Sequence, residues 1–110
     1  MAGVPSLQSA IARVRAGALG EGLEQLLALH ATHGPDSPEP LPDIELATLL
    51  SALVDCRLAR GDLANAMTTG EELTPLLAGP GLTGAIAHLA KGEVAAALGD
   101  TEEIGRASCG

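Results

Sequence analysis

Apolar positions along the chain recur every three to four residues, and glycine or proline breaks the recurrence between runs. Leu7, Ala10, Ile11 and Val14 follow the i, i+3, i+4, i+7 spacing of one helix face. Pro5 suits the first turn of that helix, Ser6 is a neighbouring cap, and Gly17 ends the run. A second run places Leu19, Leu23, Leu26, Leu27 and His30 on one side of a helix that Gly34 and Pro35 stop. The stretch from His33 to Pro42 reads HGPDSPEPLP. Its prolines cannot sustain a helix, so residues 34–42 are expected to form a loop.

Pro42 and Asp43 open the longest uninterrupted pattern, which runs to about Arg60 with Leu46, Leu49, Leu50, Leu53, Val54 and Leu58 as its stripe. Arg57 and Arg60 fall in the last turn, where cations favour the helix dipole, and Gly61 terminates the helix. Asp62 caps a fourth helix carrying Leu63, Ala66, Met67 and Leu73. Its middle, Thr68-Thr69-Gly70, is poor helix-forming sequence, and Pro75 ends or kinks it near Thr74. After a Gly79-Pro80-Gly81 turn, a fifth helix is expected from about Thr83 to Leu98, stopping before Gly99-Asp100. No alternating pattern signals a strand. The pattern predicts an all-α fold of about five helices.

Composition narrows what such a fold can do. The 110 residues include 19 leucines and 20 alanines and no Phe, Tyr or Trp, so base stacking and an aromatic cation cage are both excluded. Fourteen acids against six bases leave a net charge of -8, which opposes contact with nucleic-acid phosphates or an anionic membrane surface. The first dozen residues lack a secretory pattern. Leu73 to Ala90 is free of formal charge, but its prolines and glycines interrupt it short of a membrane span. Two cysteines, Cys56 and Cys109, give neither a disulfide framework nor zinc spacing, so a cytoplasmic protein is expected.

Candidate chemistry is sparse. His30 and His33 are three apart and could share a metal only with further ligands, for which His88 and Cys56 are the remaining candidates. A nucleophilic Cys56 would need a neighbouring base, and no histidine lies near it in sequence. Glu71-Glu72 defines no pocket, and Gly17-Ala-Leu-Gly-Glu-Gly22 lacks the strand and Lys-Ser/Thr of a phosphate loop. No catalytic, cofactor-binding or metal-ligating residue is assigned, no cofactor is expected, and the chain reads as a non-enzyme.

Three glycine-centred segments, at Gly17, Gly61 and Gly99, each follow a helix at separations of 44 and 38 residues. Periods of this size belong to helix-turn-helix arrays. Leu58 to Met67, LARGDLANAM, resembles the inter-helix turn of the tetratricopeptide repeat, with Ala66 and Gly92 at its small positions. The likeness spans most of Ser6 to Glu102 and is clearest in the middle unit. It departs where Leu, Ala or Gly replace the aromatic positions and where Val54 fills a small one. The resemblance implies antiparallel hairpins stacked as a short α-solenoid over residues 1–102. Such Ala/Leu-rich repeats are similar to those of actinobacterial, LuxR-like regulators. That likeness implies a protein-interaction module forming the N-terminal part of a truncated bacterial transcriptional regulator. The alternative is the helical part of an enzyme or effector-binding protein whose active domain lies elsewhere.

Residues 103–109, Glu-Ile-Gly-Arg-Ala-Ser-Cys, resemble a translated sequencing adapter, which implies a non-native tail at 103–110 and a natural chain continuing past Glu102. Asp55 and Glu93 each stand six residues before their repeat glycine. On the side that the repeat family turns to its concave groove, they are expected to make an acidic floor for a basic or N-terminal-amine partner segment. The fifth helix is expected to leave Ile86, Leu89, Val94 and Leu98 without a partner helix. Self-association through residues 83–98 and marginal stability would follow.

Overall fold

Local turn chemistry sets the first two hairpins. In the computed structural model, which describes residues 7–34, 36–39 and 41–109 with side chains to Gly99, helix α1 (Leu7–Arg15) is followed by α2 (Leu19–His33). Gly17 sits between them at φ +93°, with its N–H donating to Val14 O and that of Ala18 to Arg13 O. Forty-four residues later the same motif recurs between α3 (Asp43–Ala59) and α4 (Leu63–Glu72). There Gly61 has φ +75°, its N–H donates to Leu58 O, and that of Asp62 donates to Arg57 O. This pairing is the Schellman termination, in which glycine accepts the left-handed backbone that L side chains resist. Asp62 then caps α4, its carboxylate accepting from the Asn65 N–H at 3.3 Å.

A 3₁₀ turn, Thr74–Leu76, follows α4 where Pro75 forbids continuation, and α5 runs from Leu82 to Cys109. Each helix packs on the next, and α3 also packs along α5, with a smaller contact between α1 and α3. Every regular element among the described residues is helical. Pro5, Ser6, Pro35 and the side chains of 103–110 lie outside the described residues.

The buried core is aliphatic: Leu26, Leu49, Leu50, Leu53, Val54 and Leu73 are essentially inaccessible, joined by Ala10, Ala47, Ala66, Ala87 and Ala90. With no rings to span gaps, the helices approach closely at small residues. A Cβ placed on Gly22 would lie 2.5 Å from Val14 Cγ2 and 3.3 Å from Ala10 O, so α1 and α2 cross there almost backbone to backbone. Gly70 is less crowded: a Cβ there would meet Val94 Cγ2 of α5 at 3.7 Å, an ordinary contact.

The structure corrects four expectations. Gly99 is not a turn: α5 continues through it to Cys109 instead of ending at Leu98. A single glycine costs about 1 kcal/mol in a helix interior, too little by itself to stop one, and α5 runs on through the following Asp100 as well. On α2, Leu26 is buried and Leu19 and Leu23 pack against the core as expected, but Leu27 is turned outward, and Gly22 and Leu29 complete the buried face. On α4, Met67 is exposed, and Thr69 and Gly70 from the supposedly weak stretch face the core. On α5, Val94 is buried and Ile86 and Leu98 pack against the core, so of the four residues expected to lack a partner only Leu89 is open, with Leu82 beside it.

Candidate functional site

The face shared by α1, α3 and α5 carries a cleft of about 210 Å³. Ile11, Val14 and Arg15 line it from α1, Thr48, Ser51, Ala52 and Asp55 from α3, and Ile86 from α5. These helices meet because the two intervening segments, α2 and α4, pack behind them against the same core. The floor is aliphatic, with a guanidinium at one rim and a carboxylate at another.

Asp55 and Glu93 are brought together across the junction of α3 and α5. Their carboxyl groups hydrogen-bond, which requires a proton between two oxygens that otherwise only accept. This bond to Asp55, partial burial and the charge of Asp55 together push the Glu93 carboxyl up to about 7. Asp55 is exposed and Glu93 half-buried, so the pair is open to solvent, and Asp55 also lines the cleft. The arrangement shares a proton at pH values just below about 7 and loses it above, where Glu93 ionises beside Asp55.

The histidines and cysteine are placed otherwise. His30 Nε2 lies 2.8 Å from Glu72 Oε2, joining α2 to the end of α4. His33 Nδ1 is 2.9 Å from Glu39 O in the 34–42 loop, and His88 is exposed on α5. No group of three or more His, Cys, Asp or Glu among the described residues is placed to hold a metal ion. Cys56 is fully buried, and desolvation pushes its thiol up, the opposite of what a nucleophile needs.

Sequence reasoning missed the polar clasps that hold the hinge regions. Arg57, read only as a dipole partner, donates through Nη1 to Asn65 O at 3.2 Å and to the buried Thr69 hydroxyl, tying α3 to α4. Lys91 Nζ donates to Gly70 O at 3.1 Å and Thr74 Oγ1 at 3.0 Å, so a cation from α5 closes the C-terminal end of α4. Both are long-range contacts that helical spacing alone does not reveal. A second cleft of about 230 Å³ lies beyond Lys91, between Met67 and Glu71 of α4 and Val94 and Leu98 of α5. No helix among the described residues is long and apolar enough to cross a membrane.

Comparison with protein-family models, with curated proteins and with solved structures finds no match to this chain.

Proposed function

We propose that the chain is a non-catalytic interaction module, a tetratricopeptide-like stack of helix hairpins whose α1/α3/α5 face receives a partner segment. The observation that carries this reading is the cleft itself, which joins an aliphatic floor to the carboxyl of Asp55, the group that Glu93 meets across α3 and α5. Support also comes from the identical glycine terminations 44 residues apart and from the way odd-numbered helices line one side. A cationic group, a lysine or arginine side chain or an N-terminal amine, takes the place of the shared proton, and aliphatic side chains fill the floor. In the setting implied by the family likeness, the module is the N-terminal part of a cytoplasmic bacterial transcription regulator and contacts protein rather than DNA.

The test is selection of short peptides from a display library, followed by titration of a labelled winner against the protein by fluorescence anisotropy. Basic and aliphatic residues should be enriched among the winners. Replacing Asp55 and Glu93 together with alanine should weaken binding by about tenfold, roughly 1.4 kcal/mol. Unchanged affinity in that double variant would overturn the reading.

A further inference from the structure

The cleft between α1, α3 and α5 carries charge of both signs. Its α3 wall is Thr48, Ser51, Ala52 and Asp55, which follow the i, i+3, i+4, i+7 spacing of one helix face and succeed one another over roughly 10 Å. Its α1 wall is Ile11, Val14 and Arg15, the last residue of that helix. Among the residues lining the cleft, Asp55 is the one acid and Arg15 the one base.

The other cations of the described residues are placed differently. Arg13, two residues earlier on α1, pairs with Glu21 at 2.7 Å. Arg57 and Lys91 clasp α4 through Asn65 O, Thr69, Gly70 O and Thr74 Oγ1. Arg60 is exposed and lines neither cleft. The Arg15 side chain is exposed and makes no hydrogen bond or ion pair among the described residues, and it leaves the Asp55 carboxylate on the same cleft unpaired with it. Two opposite charges beside one aliphatic floor, neither neutralising the other, suit a ligand that brings both signs itself. A cation on the segment meets the Asp55–Glu93 pair, and a carboxylate accepts the parallel N–H donors of the Arg15 guanidinium. A segment with basic residues alone would set a like charge against Arg15, which costs affinity.

We propose, resting on the reading of this cleft as a partner site, that Arg15 makes it bipolar: the segment it selects carries a carboxylate as well as a cation, with aliphatic residues between them. The order of the two charges then fixes the direction in which the segment lies. The net charge of -8 disfavours acidic segments over the chain as a whole, so a preference for a carboxylate is local to Arg15. That field also makes the preference easy to recognise, since general attraction to an acidic protein enriches basic residues and never acidic ones.

Selection from a display library of short random peptides, run in parallel on the parent chain and on Arg15→Glu, tests the proposal. Winners on the parent should carry an acidic residue at a fixed spacing from the basic one. Winners on Arg15→Glu should keep the basic residue and lose the acidic one. One labelled parent winner, titrated by fluorescence anisotropy, then closes a double-mutant cycle. Arg15→Ala, or replacement of the peptide's acid by its amide, should each weaken binding by about fivefold, and the two together by no more than either alone. Far-UV circular dichroism should show both Arg15 variants folded, since the side chain is exposed and holds no partner among the described residues. Basic winners without an acid, or an acid whose loss adds to that of Arg15→Ala, would overturn the bipolar cleft and leave the partner site standing. An absence of winners, or winners whose binding survives loss of both Asp55 and Glu93, would overturn both.

Discussion

Replacing Glu93 with glutamine should stabilise the folded chain at pH 8 and leave it unchanged at pH 5. In the folded state Glu93 holds its proton to about 7, against 4.5 for the ordinary carboxyl. Between those values the folded chain binds more protons than the unfolded one. The stabilisation from the shared proton is therefore complete below pH 4.5 and is lost as pH rises through 7. The full rise corresponds to a ceiling of roughly 3 kcal/mol at 1.36 kcal/mol per pH unit. Glu93 is only half-buried and Asp55 lies exposed, so solvent screening reduces this to about 1 kcal/mol. Glutamine donates an N–H to the Asp55 carboxylate at every pH and carries no charge. At pH 8 it should raise the melting temperature by about 5 °C, taking 4–8 °C per kcal/mol for a domain near this size.

Thermal unfolding followed by circular dichroism at 222 nm is the suitable assay, since a chain without Trp or Tyr gives no useful intrinsic fluorescence. The difference between parent and E93Q at pH 5 and pH 8 isolates the pair, because every other group is common to both proteins. Equal differences at the two pH values, or a lower melting temperature for E93Q at pH 8, would refute the shared proton.

The same substitution should have opposite signs at two helical glycines in dilute protein. Gly22→Ala forces α1 from α2, at a cost of about 1–3 kcal/mol that the gain in helix propensity only partly offsets. Gly92→Ala meets open space and should stabilise by about 1 kcal/mol, both read from chemical denaturation followed by circular dichroism. In a Cys109→Ser background, Cys56 should resist a thiol-specific reagent in the folded protein and react fully in guanidinium, as its complete burial requires. Fast labelling of native protein would contradict that burial.

What could be read from the chain was what local sequence decides. Gly17, Gly61 and the Asp62 cap each act within a few residues, and all three stand where the pattern put them. Gly99 misled because glycine permits a left-handed turn without demanding one: the Gly-Asp pair that ends α3 and caps α4 at Gly61-Asp62 recurs at Gly99-Asp100, and α5 simply continues through it. The Thr68-Thr69-Gly70 stretch misled in the other direction. Propensity marks it as weak, but Thr69 and Gly70 are buried against the core, where Arg57 satisfies the Thr69 hydroxyl. The 38-residue offset put Asp55 and Glu93 at equivalent positions, but that their carboxyl groups meet depends on how α3 and α5 pack along each other, which spacing does not show.

The position of that pair couples the fold to the proposed binding role. Asp55 and Glu93 meet at the junction of α3 and α5, and Asp55 also lines the cleft, so in the proposed role one contact would serve both the packing of two helices and the capture of a cation. A side chain chosen for stability alone would not be a second carboxylate, since two like charges in contact repel once the proton leaves. Glutamine at position 93 removes that repulsion and with it half of the charge a cationic segment would meet. The same variant should therefore be more stable at pH 8 and a poorer binder of basic peptides, a trade-off expected where a strained charge arrangement is kept for function. If E93Q gained stability while keeping full affinity, the pair would be a packing feature only, and the acidic floor would lose its claim on a partner.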